Sequence, residues 1–182
     1  IAIGASTGGP QALMRILRTL PREMPPILVV QHITPSFTQS FSKSLDASCQ
    51  MKVEVAVDGI KPIDGHIYVA PGDCHMLLAR EKSDYQIRLS DHGHVNRHRP
   101  SVDELFRSVA DHARQNATGV LLTGMGIDGA AGMAQMRQNG AWTIAQDEAS
   151  SVVFGMPRAA IEMGAAARVI SLDHIPGELV NY

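Results

Sequence analysis

Apolar residues follow two rhythms along this chain. Ile1 to Ile3 forms a short apolar stub running into Gly4-Ala5-Ser6-Thr7-Gly8-Gly9-Pro10, after which Leu13, Ile16, Leu17 and Leu20 recur at helical spacing. This predicts a strand, a tight glycine turn and a helix. Pro10 suits the first turn of a helix, where its missing N–H is no loss, and Pro21, Pro25 and Pro26 end the element. Ile27 to Gln31 is unbroken apolar sequence, the composition of a strand buried on both faces of a parallel sheet, and His32 follows it directly. Val53, Val55 and Val57 alternate with polar neighbours. Ile67–Val69, Met76–Ala79 and Tyr85–Leu89 follow as short strands, the last two pairing as a hairpin across Glu81 to Asp84.

The helical rhythm returns at Ser101-Val-Asp-Glu104, which has the spacing of a capping box, and Val102, Leu105, Phe106, Val109 and Ala113 then mark one face of a helix reaching Arg114. Val120–Leu122 is another buried strand. The glycine-rich Thr123-Gly-Met-Gly-Ile-Asp-Gly-Ala-Ala131 and a helix to about Asn139-Gly140 repeat the plan of the N-terminus. Trp142–Ala145 reads as a strand, Pro157–Met163 as a helix closed by Gly164, and Val169–Leu172 as a final strand. Strands alternating with helices imply right-handed crossovers. The predicted fold is α/β: a doubly wound, mostly parallel sheet with helices on both faces and a small antiparallel hairpin.

At 182 residues and 45% hydrophobic composition the chain makes one domain, 1–182, with a core that needs no staples. It begins at Ile1, inside an apolar run and without an initiating Met, as expected of a segment cut from a longer polypeptide. Sixteen Lys and Arg against 18 Asp and Glu leave a formal charge of -2, without the positive excess that draws a protein to phosphate backbones, so no nucleic-acid partner is expected. Cys49 and Cys74 are too few for a disulfide framework, and no signal segment or apolar run of ~18 residues appears. A cytoplasmic protein with free thiols and no membrane insertion is expected.

In an open α/β sheet the reactive crevice lies beyond the carboxyl ends of the strands, where strand order reverses. Ser6, His32 and Asp128 each follow a predicted strand. Neighbouring strands lie ~4.8 Å apart, so Ser6 and His32 can meet if their strands are adjacent, and the segment Gly124–Ile127 gives Asp128 its reach. Gly4-Ala5-Ser6-Thr7-Gly8 fits the G-x-S-x-G turn, which exposes a serine hydroxyl at a sharp strand-to-helix bend. A serine hydroxyl needs an imidazole to take its proton and a carboxylate to orient that imidazole, and His32 and Asp128 fit those roles. The blander readings stay open at this level. The Ser6–Gly9 turn could cradle a phosphate or nucleotide, His32 could be structural, and Asp128 in its Gly-x-Asp-Gly turn could cap a helix.

Other chemistries find less support. Gly4–Gly9 is not G-x-G-x-x-G, no G-K-[ST] loop occurs, and His66, His75, His92, His94 and His98 pair with no Cys or carboxylate at a zinc spacing. No cofactor and no metal are expected. Cys74 and His75 are adjacent in a strand and so point to opposite faces, which argues against a thiol dyad. Arg97, His98 and Arg99 form a basic cluster before a helix, either a solvated loop or a surface for an acidic substrate.

Six separated segments, Ile3-Gly-Ala-Ser-Thr-Gly-Gly-Pro10, Gln31-His32, Tyr68-Val-Ala-Pro-Gly-Asp73, Asn96-Arg-His-Arg-Pro-Ser-Val-Asp103, Leu122-Thr-Gly-Met-Gly-Ile-Asp-Gly129 and Phe154-Gly-Met-Pro157, strongly resemble the catalytic domain of the bacterial chemotaxis protein-glutamate methylesterases, the CheB family. The resemblance places the catalytic serine, histidine and aspartate on Ser6, His32 and Asp128. It also implies that Thr7 helps hold His32 and that the Met125 backbone N–H supports an oxyanion. It implies hydrolysis of glutamyl methyl esters on the cytoplasmic domains of methylated chemoreceptors, with release of methanol, and deamidation of receptor glutamines as a second activity. It further implies an N-terminal receiver domain in the full-length protein, with a histidine kinase as phosphodonor.

Overall fold

The structure, a computed structural model, describes residues 1–181; Tyr182, the last residue of the expected domain, lies outside them. In chain order the elements are β1 (Ala2–Ala5), α1 (Gly9–Leu17), β2 (Ile27–Gln31), α2 (Pro35–Asp46), β3 (Lys52–Val55), β4 (His66–Val69), β5 (His75–Glu81), β6 (Asp84–Ser90), α3 (Val102–His112), β7 (Thr118–Leu121), α4 (Ala130–Gln138), β8 (Trp142–Gln146), α5 (Met156–Glu162), β9 (Arg168–Ile170) and α6 (Ile175–Asn181). Seven strands form one sheet in the order β3-β4-β2-β1-β7-β8-β9, every pairing parallel, and β5 and β6 form a separate antiparallel hairpin. The chain builds outward from β1 in one direction and then returns to its other side, so strand order reverses between β1 and β7. That is the doubly wound plan expected.

The apolar runs of β1 and β2, with Gln31 at the end of β2, are buried throughout because both sheet faces are covered. Along β2, Ile27 and Val29 face one core while Leu28 and Val30 face the other. The first core takes Leu13, Ile16 and Leu17 of α1, Leu45 of α2 and Ile175 and Leu179 of α6. The second takes Val102, Leu105, Phe106 and Val109 of α3, Met133 and Met136 of α4, and Met76, Leu78 and Ile87 of the hairpin. Burying each such side chain contributes roughly 1.5–3 kcal/mol, so both helical layers are held by apolar contact rather than by helix propensity.

Several expectations are corrected. Val57 does not extend the strand; β3 ends at Val55, and Val57 is 62% exposed. The α3 helix stops at His112 and passes into a 3-10 turn over Arg114–Asn116, with Arg114 at φ 51. Ser101 stands before α3 but closes no capping box, because its hydroxyl is taken by another residue. The helices α2 and α6 have no counterpart in the hydrophobic pattern. The buried face of α2 consists of Thr38, Ser42 and Leu45, so it carries almost no apolar stripe.

Candidate functional site

Three strand ends converge at the reversal point. Ala5 and Gln31 are register partners, so Ser6 and His32 leave the sheet from adjacent positions, and the His32 amide donates to the Ala5 carbonyl at 3.0 Å. On the other side of β1 the Ser6 amide donates to the Thr123 carbonyl at 3.0 Å. A side chain at Gly124 would come within 2.7 Å of the Ser6 Cβ, so glycine there leaves the serine its place. Gly8 turns the chain into α1 at φ 79, a left-handed backbone that favours glycine. The Ser6 and Gly9 amides are both spent on backbone carbonyls, which leaves only the Thr7 and Gly8 amides of the turn for a phosphate cradle.

His32 and Asp128 meet directly. His32 Nε2 lies 2.7 Å from Asp128 Oδ2, with side-chain exposures of 7% and 1%. His32 Nδ1 is buried and has no hydrogen-bond partner among the described residues. Asp128 accepts four further hydrogen bonds: Oδ1 from Asn96 Nδ2 at 2.9 Å, from the Ser101 hydroxyl at 2.6 Å and from the Asp103 amide at 3.2 Å, and Oδ2 from the Val102 amide at 2.7 Å. Burial opposes the charge on Asp128, but the bonds from His32, Ser101, Asn96 and Val102 outweigh it and hold the carboxyl well below the usual carboxylate range.

Asp128 is therefore both the partner of His32 and a helix cap, though not of the helix it precedes. Its carboxylate sits on the first amides of α3, where the helix dipole favours negative charge, and it takes over the role expected of the Ser101 hydroxyl. Glu104, expected to complete that box, pairs instead with His92 and Arg107.

Asn96 and Arg97 form a two-residue turn between Val95 and His98, which exchange backbone hydrogen bonds of 3.0 and 2.9 Å. Both central residues have positive φ, 51 and 69, the conformation of a type I′ turn, where Asn is favoured first and Gly second. Holding Arg97 there costs ~1 kcal/mol. The turn aims Asn96 at the site, where it bridges Asp128 and Asp103, the latter at 2.7 Å. It also lays the His98 ring on His32, centroids 3.6 Å apart and 8° from parallel. Burial, with the His32 ring beside it, keeps the His98 pKa below its usual value.

Thr7 and Met125 are placed differently from these. Thr7 is exposed, its carbonyl accepts from the Thr123 hydroxyl at 2.9 Å, and its own hydroxyl reaches no partner among the described residues, His32 included. Met125 is 68% exposed, and its amide has no partner among the described residues. Its loop is held in place by the Gly155 and Met156 amides, which both donate to the Gly124 carbonyl. Asn96, His98 and Ser101 escaped the reading of single residues because their role depends on where a turn and a helix start are carried in space.

The remaining histidines and cysteines lie apart from this chemistry. His75 is fully buried, accepting from the Ser101 amide at Nδ1 and donating from Nε2 to the Gly93 carbonyl. Burial pushes the Cys49 thiol up to about 11 and raises Cys74 as well. Among the described residues no group of three or more His, Cys, Asp or Glu side chains is placed to hold a metal ion. A cleft of about 610 Å³, lined by Arg22, Asp46, Lys52 and His66, opens at the amino ends of the strands, away from Ser6.

Residues 1–179 match the CheB methylesterase family. The chain belongs to that family. The CheB proteins of Salmonella typhimurium and Escherichia coli O157:H7, both called protein-glutamate methylesterase/protein-glutamine glutaminase, are each 56% identical over 180 residues, covering 99% of this chain and 52% of theirs. The chain thus spans about half the length of the curated relatives it matches. The solved catalytic domain of the Thermotoga maritima CheB methylesterase superposes with a TM-score of 0.96 at 39% identity, over 99% of this chain and 96% of that one. The seven-stranded sheet and separate hairpin are therefore the fold of a CheB catalytic domain. No helix among the described residues is long and apolar enough to cross a membrane.

Proposed function

We propose that the chain is a serine hydrolase that removes methyl groups from glutamate methyl esters of chemoreceptors; its relatives are named protein-glutamate methylesterase/protein-glutamine glutaminase. The carrying observation is the buried His32–Asp128 pair with Nδ1 of the same ring left unpaired, on the strand end next to that of Ser6. With Nε2–H donated to Asp128, Nδ1 carries the lone pair. It takes the Ser6 hydroxyl proton as Oγ bonds to the ester carbonyl carbon, and the Met125 amide meets the developing oxyanion. Collapse breaks the bond to the methoxy oxygen, which leaves as methanol with the proton from Nδ1. Water, deprotonated by the same nitrogen, then releases the glutamate carboxylate and frees Ser6. An amide substrate follows the same course with ammonia leaving, which accounts for the glutaminase half of the relatives' name. No cofactor enters any step.

Since the relatives are about twice as long, we infer that residues 1–182 act as the catalytic domain of a cytoplasmic protein. A receiver domain phosphorylated by a histidine kinase would precede it, and methylated receptor domains would be its substrates. Methanol release from methylated receptor, together with labelling of Ser6 by a fluorophosphonate, tests the reading. Release without labelling would leave the ester chemistry and remove the serine.

A further inference from the structure

A cleft of about 310 Å³ opens on the side of His32 away from β1, lined by His32, Ile33, Thr34, Pro35, Gly72, His94, Arg97, His98, Arg99 and Pro100. None of these residues is acidic. Arg97 is exposed and makes no ion pair or hydrogen bond among the described residues, although its backbone is held left-handed to place it there. Arg99 is bound only to the carbonyls of Asp91 and His92. The 12-residue helix α2 starts in the same cleft, with no side-chain cap from Thr34 and no acidic residue in its first turn, so its positive end is uncompensated. Gly72 makes that approach possible, since a Cβ there would come within 2.6 Å of Pro35 N. His32, nine-tenths buried and unpaired at Nδ1, forms the wall shared with the esterase site.

Two guanidinium groups and a bare helix N-terminus around one small cleft are a receptor for an anion. We propose that this cleft is a specificity subsite for a carboxylate side chain of the substrate segment, next to the glutamate whose ester is cleaved, with Arg97 as its principal ligand. The proposal rests on the esterase reading of the adjoining site and adds to it what the protein selects: an ester embedded in acidic sequence rather than an isolated one. Arg97 acts on selection of the segment, and the bond-breaking groups remain Ser6 and His32.

The test compares methanol release from two methyl-ester peptides that differ only in Glu or Gln beside the ester. For the unaltered protein kcat/KM should favour the Glu peptide by about tenfold, a ratio that shrinks as salt is added. In Arg97→Gln the ratio should fall to about one, and in Arg97→Glu it should invert. Loss of fold lowers both rates together and leaves the ratio alone, so the ratio isolates the subsite. Calorimetric binding of the ester-free acidic peptide gives a second readout without chemistry, expected to weaken by about tenfold in Arg97→Gln. A ratio or an affinity unchanged in Arg97→Gln overturns the subsite while leaving the esterase standing. Release from neither peptide, by contrast, overturns the esterase reading and the proposed selection with it.

Discussion

His98 lies flat on His32, with ring centroids 3.6 Å apart. Burial, with the His32 ring beside it, holds the His98 pKa below its usual value, so His98 packs against His32 as a neutral ring. Asp128 fixes one edge of the His32 ring and His98 fixes its face. A flat apolar ring should serve the second purpose as well as imidazole does. We expect His98→Phe to keep most of the turnover and His98→Ala to lose about tenfold, measured as methanol release. Equal loss in both would show that His98 contributes through its nitrogens rather than its plane.

Ser6→Ala and His32→Ala should each lower esterase turnover by several orders of magnitude while the fold survives. Because such groups act as a unit, the double variant should be little worse than either single one. Steady-state rates with matched circular dichroism spectra check this. A Ser6→Ala protein keeping more than about a tenth of the turnover would require a different nucleophile.

Asp128→Asn should be destabilising as well as inactive. The carboxylate accepts five hydrogen bonds, from His32, Asn96, Ser101, Val102 and Asp103. A carboxamide has one oxygen for them and turns N–H groups toward donors, which costs about 2–4 kcal/mol at a buried site. Urea unfolding reads the loss directly. An unfolding midpoint equal to that of the unaltered protein would mean that the network re-forms around the amide.

Stability should fall as pH is lowered from neutral, in two stages. His75 and His98 are both held below their usual pKa, mainly by burial. The unfolded chain therefore binds protons there more readily, and stability is lost as pH drops below ~6.5. Asp128 is depressed below the ordinary carboxylate value of ~3.9, so its contribution is complete above that value and is lost as pH falls further toward its folded-state pKa. Urea midpoints at pH 7, 5 and 3.5 give the slope. His98→Phe should flatten the first stage, and an unchanged slope there would remove His98 from it.

In the proposed full-length arrangement the chain passes from the receiver into the end of β1 opposite Ser6, so a restraining receiver would have to fold back over the strand tips. We expect residues 1–182 alone to outpace the unphosphorylated full-length protein on methylated receptor, and phosphorylation to narrow the gap by shifting the domain interface. An isolated domain no faster than the unphosphorylated full-length protein would favour a receiver that activates directly.

The order of strands and helices was legible because each parallel strand is an apolar run and most helices carry an apolar stripe, as α1 and α3 do. Helix α2 was not, because its buried face is Thr38 and Ser42 beside Leu45. At the site, Ser6, His32 and Asp128 could be picked out as residues after strands. Asn96, His98 and Ser101 could not, since a turn with two positive φ angles brings the first two to the site and Asp128 diverts the third from its local cap. The capping-box spacing was real, but a buried carboxylate 26 and 25 residues further along from Val102 and Asp103 outcompetes a neighbouring side chain for those amides.

An active-site carboxylate is ordinarily a burden on its host, buried for chemistry and tolerated by the fold. At the start of α3 the interests coincide, since the charge that steadies His32 also anchors a helix of the second core. Selection for a sturdier protein and selection for a faster one thus press on position 128 in the same direction. Under the proposed mechanism, drift to a folded but inert relative should begin at the Ser6 hydroxyl, which carries chemistry and no part of this network, and the acid should persist in descendants that no longer hydrolyse anything.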